Sequence, residues 1–437
     1  MHRNLLLFGI LFIYSCNTEQ GETLGSTSIT KWQAGKTAAL SVTYDDGIIN
    51  QFTVAKPIMD SLQMPGTFYV ITGKIEGAQK GKFIGRPKRE IIEETARVET
   101  NEENFFERAS LIAFTGTTEG IDYHSRAGSL YESGRIQDAY QLLDEGFRKI
   151  RKGTIKDLDE VIFHDNPEDT TTWEDLRTYA AQGHEIASHT VTHPRLAVLD
   201  EVNLLYELEA SKQDIKQFLG EKYTFSAECP YGTENERVME YAHEIYPSLR
   251  NRMPAPYLAE LNRSSRQEPG ASEKEYVQWQ RGPLTDTGME EMKAWVDTCL
   301  AHDNIWLVLV FHGVNGIGWE PKTEAELEDY FTYINEREEQ IWVATFADVT
   351  KYIRAQKNTT VESRMAGNSI RVNISSDLDP AVYDVPITLK TYIPDSWESV
   401  LINGERVPDD LQADARGKYV LYPTAINQSE ITLEAGR

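Results

Sequence analysis

Cysteine is scarce in this chain: there are three in 437 residues, Cys16, Cys229 and Cys299. Three cannot make a disulfide framework, and whether Cys229 and Cys299 pair is left open by their number alone. Positive charge is short as well, with 44 Lys and Arg against 69 Asp and Glu and a formal net charge of −25. So acidic a chain repels a phosphate backbone, which argues strongly against nucleic acid as a partner. Beyond the first sixteen residues no segment approaches the ~18 consecutive apolar residues that a membrane-crossing helix needs. There is no internal repeat and no long low-complexity stretch. What is present, 40% hydrophobic residues over this length, suits two or three globular domains.

The one strongly apolar stretch is at the start. Arg3 precedes a run from Leu5 to Tyr14, followed by Ser15 and Cys16. A short positive region, an apolar core too short to span and a small residue before the break read as a signal peptide over residues 1–15. Its ending, Leu11-Phe12-Ile13-Tyr14-Ser15-Cys16, resembles a bacterial lipobox, which implies lipidation of Cys16. The expected protein is therefore exported and membrane-anchored, periplasmic or cell-surface, and held by lipid only. Residues 16–34, polar and rich in Thr, Ser and Gly, read as a tether.

From residue 35 to about 357 short apolar strands alternate with amphipathic helices, which predicts an α/β domain on parallel strands. Ala39–Tyr44, Thr67–Ile71, His184–Ser188, Phe225–Tyr231, Trp306–Phe311 and Trp342–Phe346 read as strands. Helices are expected from Thr172 to Gly183, from about Asp200 to Leu219 and through Ile353. Residues 75–165 break this rhythm with charge-rich helical patterns, such as Ile136–Ile150 with Ala139, Leu142, Leu143 and Phe147 on one face. They read as a helical insertion, with His124 and His164 as solvated loop residues. Over residues 360–437 the period shortens to two, at Ile370/Val372/Ile374 and Ile387/Leu389, and Asn403-Gly404 signals a hairpin. That region reads as a small all-β sandwich. No aromatic row at strand spacing (Tyr392, Trp397, Tyr419 and Tyr422 are scattered) declares a sugar platform there. Trp173 reads as a packing residue.

The chemistry is concentrated at two strand ends. Ser41-Val42-Thr43-Tyr44-Asp45-Asp46-Gly47 carries two adjacent carboxylates out of a strand into a loop. Neighbouring carboxylates repel, so a cation, a positive partner or solvent must hold them. His189-Thr190-Val191-Thr192-His193 follows another strand, and the i, i+4 spacing predicts two imidazoles on one side of a helical turn, within reach of one ion. Two imidazoles and one carboxylate leave open positions on a zinc-like ion, a catalytic arrangement more than a structural one.

This pairing resembles the polysaccharide deacetylase family, the NodB-homology or carbohydrate esterase family 4 fold. Thr43-Tyr44-Asp45-Asp46-Gly47 matches its first motif and His189-Thr190-Val191-Thr192-His193 its second. Pro230-Tyr231-Gly232 matches the end of its third, and Phe311-His312 its fifth. The resemblance spans roughly residues 36–355. It implies a distorted (β/α) barrel and a metal-dependent hydrolase that removes N- or O-acetyl groups from an extracytoplasmic polysaccharide through a metal-activated water. It further implies Asp46, His189 and His193 as ligands to a divalent metal, most simply zinc, with cobalt and nickel as alternatives. Asp45 would be the general base, the backbone N–H of Tyr231 an oxyanion donor, and His312 the acid that protonates the leaving group.

Two departures from the family pattern stand out. The arginine that opens the third motif, and that pairs with the base, falls at Glu228. Arg252 and Arg281 are the candidates to replace it. The fourth motif, an Asp followed by a Trp, has no match, since Asp286 and Trp295 are wrongly spaced. Two other readings follow from these gaps: a carbohydrate-binding lipoprotein that keeps the fold without activity, and an amidase that cleaves a non-acetyl C–N bond. Retention of all of Asp45, Asp46, His189, His193 and His312 favours the enzyme.

Overall fold

The structure is a computed structural model in which residues 24–161, 171–406 and 411–436 are described. The leader, Cys16 and His164 lie outside those residues. The larger unit is built on a curved sheet of nine parallel strands. In spatial order they run Ser248–Leu249, Ser226–Ala227, Glu185–Ser188, Gly66–Val70, Ala38–Tyr44, Ile305–Phe311, Tyr276–Arg281 and Leu258–Leu261. The ninth, Ile341–Val343, pairs with the first half of Ala38–Tyr44, whose second half pairs with Gly66–Val70. A strand that changes neighbours halfway along is what distorts the barrel. The fold is thus a distorted (β/α) barrel, as the resemblance implies, on the parallel strands that the alternating pattern predicts.

All seven residues of Ala38–Tyr44 and all seven of Ile305–Phe311 are buried, as expected of parallel strands covered on both faces. Leu40, Val42 and Tyr44 face outward into a core shared with Phe52, Met59, Leu176, Leu327 and Phe331. Ala39, Trp306, Val308 and Val310 face a second core, which continues through Phe346 and Tyr352 to Ile370, Leu389 and Leu433 of the C-terminal region. The inward face is also polar: Ser41 Oγ accepts from Trp306 Nε1 at 3.0 Å, and Thr43 Oγ1 donates to Leu309 O at 2.9 Å.

Between Gly66–Val70 and Glu185–Ser188 the chain forms the helices Lys88–Glu94, Phe105–Ala113, Thr118–Glu132 and Ile136–Arg151, packed around a core of their own. His124 is not a solvated loop residue. It is buried within Thr118–Glu132, its Nδ1 is 2.9 Å from Ala109 O, and its Nε2 accepts from Arg195 N at 3.0 Å. With Arg195 Nη1 bonded to Glu132 at 2.8 Å, these helices grip the segment that leaves the second histidine of the motif.

The C-terminal region folds as two antiparallel sheets, one of five strands from Thr359–Ala366 to Glu405–Arg406 and one of four. At Asn403-Gly404 both residues have positive φ, 52° and 84°, as the tight hairpin turn requires. The four-stranded sheet contains an unexpected member. Thr27–Ile29, within the stretch read as a tether, pairs antiparallel with Ile387–Tyr392, with Thr27 Oγ1 2.9 Å from Thr391 Oγ1. A three-residue strand in a Thr- and Ser-rich segment has no periodicity by which to be recognised. Trp173 stacks on Phe218 with ring centroids 4.6 Å apart, a packing role. Cys229 and Cys299 are both free and buried.

Candidate active site

The functional residues sit immediately after strand ends. Asp45 follows Ala38–Tyr44, His189 follows Glu185–Ser188, Glu228 follows Ser226–Ala227, and His312 follows Ile305–Phe311. Parallel strands all end on one rim, so side chains far apart in sequence converge there. They line one cavity of about 550 Å³, together with Asp46, His193, Tyr231, Arg250, Arg263 and Trp319.

The histidine motif is not a helical turn. Thr190 and His193 both take positive φ, 66° and 62°, so the segment winds as a loop. Its backbone is held by buried Glu207, which accepts from Val191 N and Thr192 N at 2.8 Å and from Thr192 Oγ1 at 2.7 Å. Burial pushes the Glu207 carboxyl up to about 7 despite these donors. On the other side Gly73 N donates to Val191 O at 3.0 Å, and a Cβ on Gly73 would lie 2.4 Å from that oxygen, so only glycine fits.

The loop brings His193 Nε2 to 3.4 Å and His189 Nε2 to 3.7 Å from Asp46 Oδ1. Two donors on one tetrahedral ion with bonds near 2.0–2.1 Å are separated by about 3.3 Å, so these spacings suit a shared cation. The chemistry of the donors agrees. His189 Nδ1 is 3.0 Å from Glu228 O and donates its hydrogen there, which leaves the Nε2 lone pair facing the cluster. Burial, then the neighbouring His189, pull the His193 imidazole well below its ordinary pKa, so it too offers a lone pair. Asp46, His189 and His193 therefore fit a divalent cation with positions left over for water and substrate.

Asp45 is buried beside this cluster. Burial alone would raise its pKa, but the Arg250 guanidinium, with help from His312, holds it well below the usual carboxylate range. Arg250 grips it with both prongs, Nη1 to Oδ1 at 2.6 Å and Nη2 to Oδ2 at 2.7 Å. Nη1 also donates to Thr43 Oγ1 at 2.9 Å, and Nη2 lies 2.9 Å from Glu228 Oε1. His312 Nε2 is 3.3 Å from Asp45 Oδ2. Burial lowers the His312 pKa, and the Asp45 and Asp46 carboxylates pull it partly back. Gln51 ties the two strand ends together, donating to Asp45 O at 2.5 Å and His312 O at 2.8 Å.

The arginine paired with Asp45 is thus Arg250, and neither Arg252 nor Arg281 lines the cavity. Arg252 donates to Glu234 O at 3.2 Å, and Arg281 lies 4.6 Å from the Trp279 ring. The two-residue strand Ser248–Leu249 leaves no periodic signal, so its end could not be located from the sequence, although Arg250 follows it as Asp45 and His312 follow theirs. Glu228, where the family pattern has arginine, is the second carboxylate on Arg250. Trp295 packs in the core, away from the cavity. An aromatic wall is supplied instead by Trp319, edge-on to His312 at 4.7 Å, from a loop that carries none of the sequence motifs. Tyr231 takes φ 63° at the cavity edge, with its ring between His193 and Arg195.

Residues 155–246 match the sequence model of a family described as polysaccharide deacetylase. A gellan lyase from a Bacillus species is 28% identical over 252 residues, 53% of this chain and 10% of that protein, so the chain spans about a tenth of the length of that curated relative. Among solved structures, a family 4 carbohydrate esterase from Streptomyces lividans in complex with acetate is similar at 10% identity and a TM-score of 0.34, covering 72% of this chain and 95% of that one. A family 4 carbohydrate esterase from Bacillus anthracis is similar at 14% identity and a TM-score of 0.33, covering 74% and 87%.

Proposed function

We propose that this chain, whose residues 155–246 match the polysaccharide deacetylase family model, hydrolyses acetyl groups from a polysaccharide, with Asp46, His189 and His193 holding a divalent cation. The observation that carries this reading is the meeting, in one cavity, of that three-donor cluster with a buried Asp45 clamped by Arg250 and a histidine 3.3 Å away. When bound, the cation supplies Lewis-acid activation of a water and of the acetyl carbonyl. Asp45, kept ionised by Arg250, takes the proton of the attacking water as the new C–O bond forms. The backbone N–H of Tyr231 stabilises the oxyanion that develops on the carbonyl oxygen, a donor commonly worth ~3 kcal/mol. His312, within reach of Asp45, delivers a proton to the departing nitrogen or oxygen as its bond to the carbonyl carbon breaks. Acetate and a free amine or hydroxyl result.

The leader-like segment ending at Cys16 supports an extracytoplasmic, lipid-anchored location; incorporation of labelled fatty acid that Cys16→Ser abolishes would test it. The activity is tested by acetate release from acetylated chitooligosaccharides, peptidoglycan and acetylated xylan, with and without chelator. Release that chelator stops and zinc, cobalt or nickel restores is expected. Release insensitive to metal removal would refute the assignment, and none from any glycan would favour an amidase or a binding protein.

A further inference from the structure

We propose that the cavity wall beyond His312 is a subsite for an anionic sugar, in which Arg263 takes the carboxylate of a uronate and Trp319 the face of a pyranose ring. This rests on the reading that the cavity receives a polysaccharide, and it specifies the class of that polysaccharide. Three arginines line the cavity, and two of them are matched: Arg250 by Asp45 and Glu228, and Arg195 by Glu132. Arg263 makes no close hydrogen bond or ion pair among the described residues: its guanidinium lies 5.0 Å from the Trp319 ring, and the Asp45, Glu228 and Glu320 carboxylates act on it only at longer range. The nearby Glu320 is engaged elsewhere, accepting from Thr285 N at 2.6 Å and Thr285 Oγ1 at 2.7 Å.

Without a close carboxylate and exposed at the cavity wall, this guanidinium is free to take an anion that enters from solvent. Its placement is built rather than incidental. The stem crosses Gly282, where a Cβ would stand 2.6 Å from Arg263 Cδ, so a larger residue would displace it. Trp319 is 48% exposed although it lies inside the catalytic cavity. Its loop is fastened by Gly313 N to Trp319 O at 2.8 Å and Lys322 N to Gly313 O at 3.1 Å, so the ring is presented by a fixed frame. An exposed indole next to the proton donor offers a flat apolar face to the C–H side of a sugar ring, while a guanidinium fork matches a carboxylate with two parallel hydrogen bonds. Asn262, beside Arg263 in the lining, adds an amide N–H donor for hydroxyls, its oxygen accepting from Ser264 Oγ at 3.0 Å. The polymer expected is one in which an acetylated residue neighbours a uronate.

The test separates binding from chemistry. With the full chain carrying Asp45→Asn, affinity is measured by calorimetry for an unacetylated oligouronate and for a neutral xylo-oligosaccharide of equal length. The oligouronate is expected to bind at least tenfold more tightly at low salt. Adding Arg263→Gln is expected to remove about tenfold to a hundredfold of that preference, with Arg263→Lys in between. Equal affinity for the two glycans, or a loss on Arg263→Gln that is the same for both, would overturn the proposal. Because no acetate is read, a retained uronate preference in a protein that deacetylates nothing would count against the activity and not against the subsite.

Discussion

Replacing Arg250 by Gln is the sharpest perturbation the site offers. It removes two charge-assisted bonds of 2.6 and 2.7 Å to Asp45, one of 2.9 Å to Thr43, and the pairing with Glu228. Two buried carboxylates are left facing each other without a cation, and breaking a buried pair of this kind costs ~3–5 kcal/mol. Part of that is recovered by protonating Asp45, whose pKa then rises because burial is no longer opposed. A general base contributes roughly 10²–10⁴ to rate, so kcat/KM for acetate release should fall by about 10² or more at pH 7. The acid limb of the pH–rate profile should move to higher pH, which simple misfolding would not do. Arg250→Lys should restore little, since an ammonium cannot span both oxygens. Arg252→Gln and Arg281→Gln, at residues outside the cavity, should stay within threefold of the parent. If Arg250→Gln kept kcat/KM within threefold with the acid limb unmoved, the assignment of the base and its partner would be wrong.

Three further outcomes are expected. Asp46→Ala or His193→Ala should abolish tight metal binding, measured as metal content per chain after dialysis, because two donors cannot hold the ion. Glu207→Gln keeps the volume but weakens the acceptor for Val191 N, Thr192 N and Thr192 Oγ1; a supporting residue of this kind is worth about 10–100-fold in metal affinity, read by competition with a chelator. Glu260, which accepts from Met253 N, is pushed up by burial to about 8 from an ordinary 4.5. The folded chain therefore holds that proton more tightly than the unfolded one, and its stabilising contribution is present below pH 4.5 and lost as pH rises towards 8. Glu260→Gln should flatten the fall in Tm between pH 5.5 and 8; an unchanged slope would contradict it.

Much of this site was legible because strand ends carry its reacting groups. Asp45, Asp46 and His312 follow seven-residue apolar strands that the pattern reveals, His189 and His193 were found by their own motif after the short strand Glu185–Ser188, and the structure brings all five together. The residues that were missed lack such a signal. Arg250 follows a strand of two residues, and Trp319 and Arg263 lie in loops whose paths depend on tertiary packing. The spacing His-x-x-x-His suggested a helix because side-chain periodicity cannot register a carboxylate eighteen positions after His189. That carboxylate, Glu207, captures the backbone donors of the motif and winds it left-handed at two residues. Likewise, Thr27–Ile29 finds its partner more than 350 residues away, and no local pattern announces such a pairing.

The central claim is that metal holding and proton abstraction reside in adjacent but separate carboxylates. The most direct test is to measure metal content and acetate release together on Asp45→Asn. One divalent ion per chain, as in the parent, with acetate release reduced by at least a hundredfold is the result expected. Loss of the metal, or retention of full activity with the metal bound, would contradict the division of labour between Asp45 and Asp46.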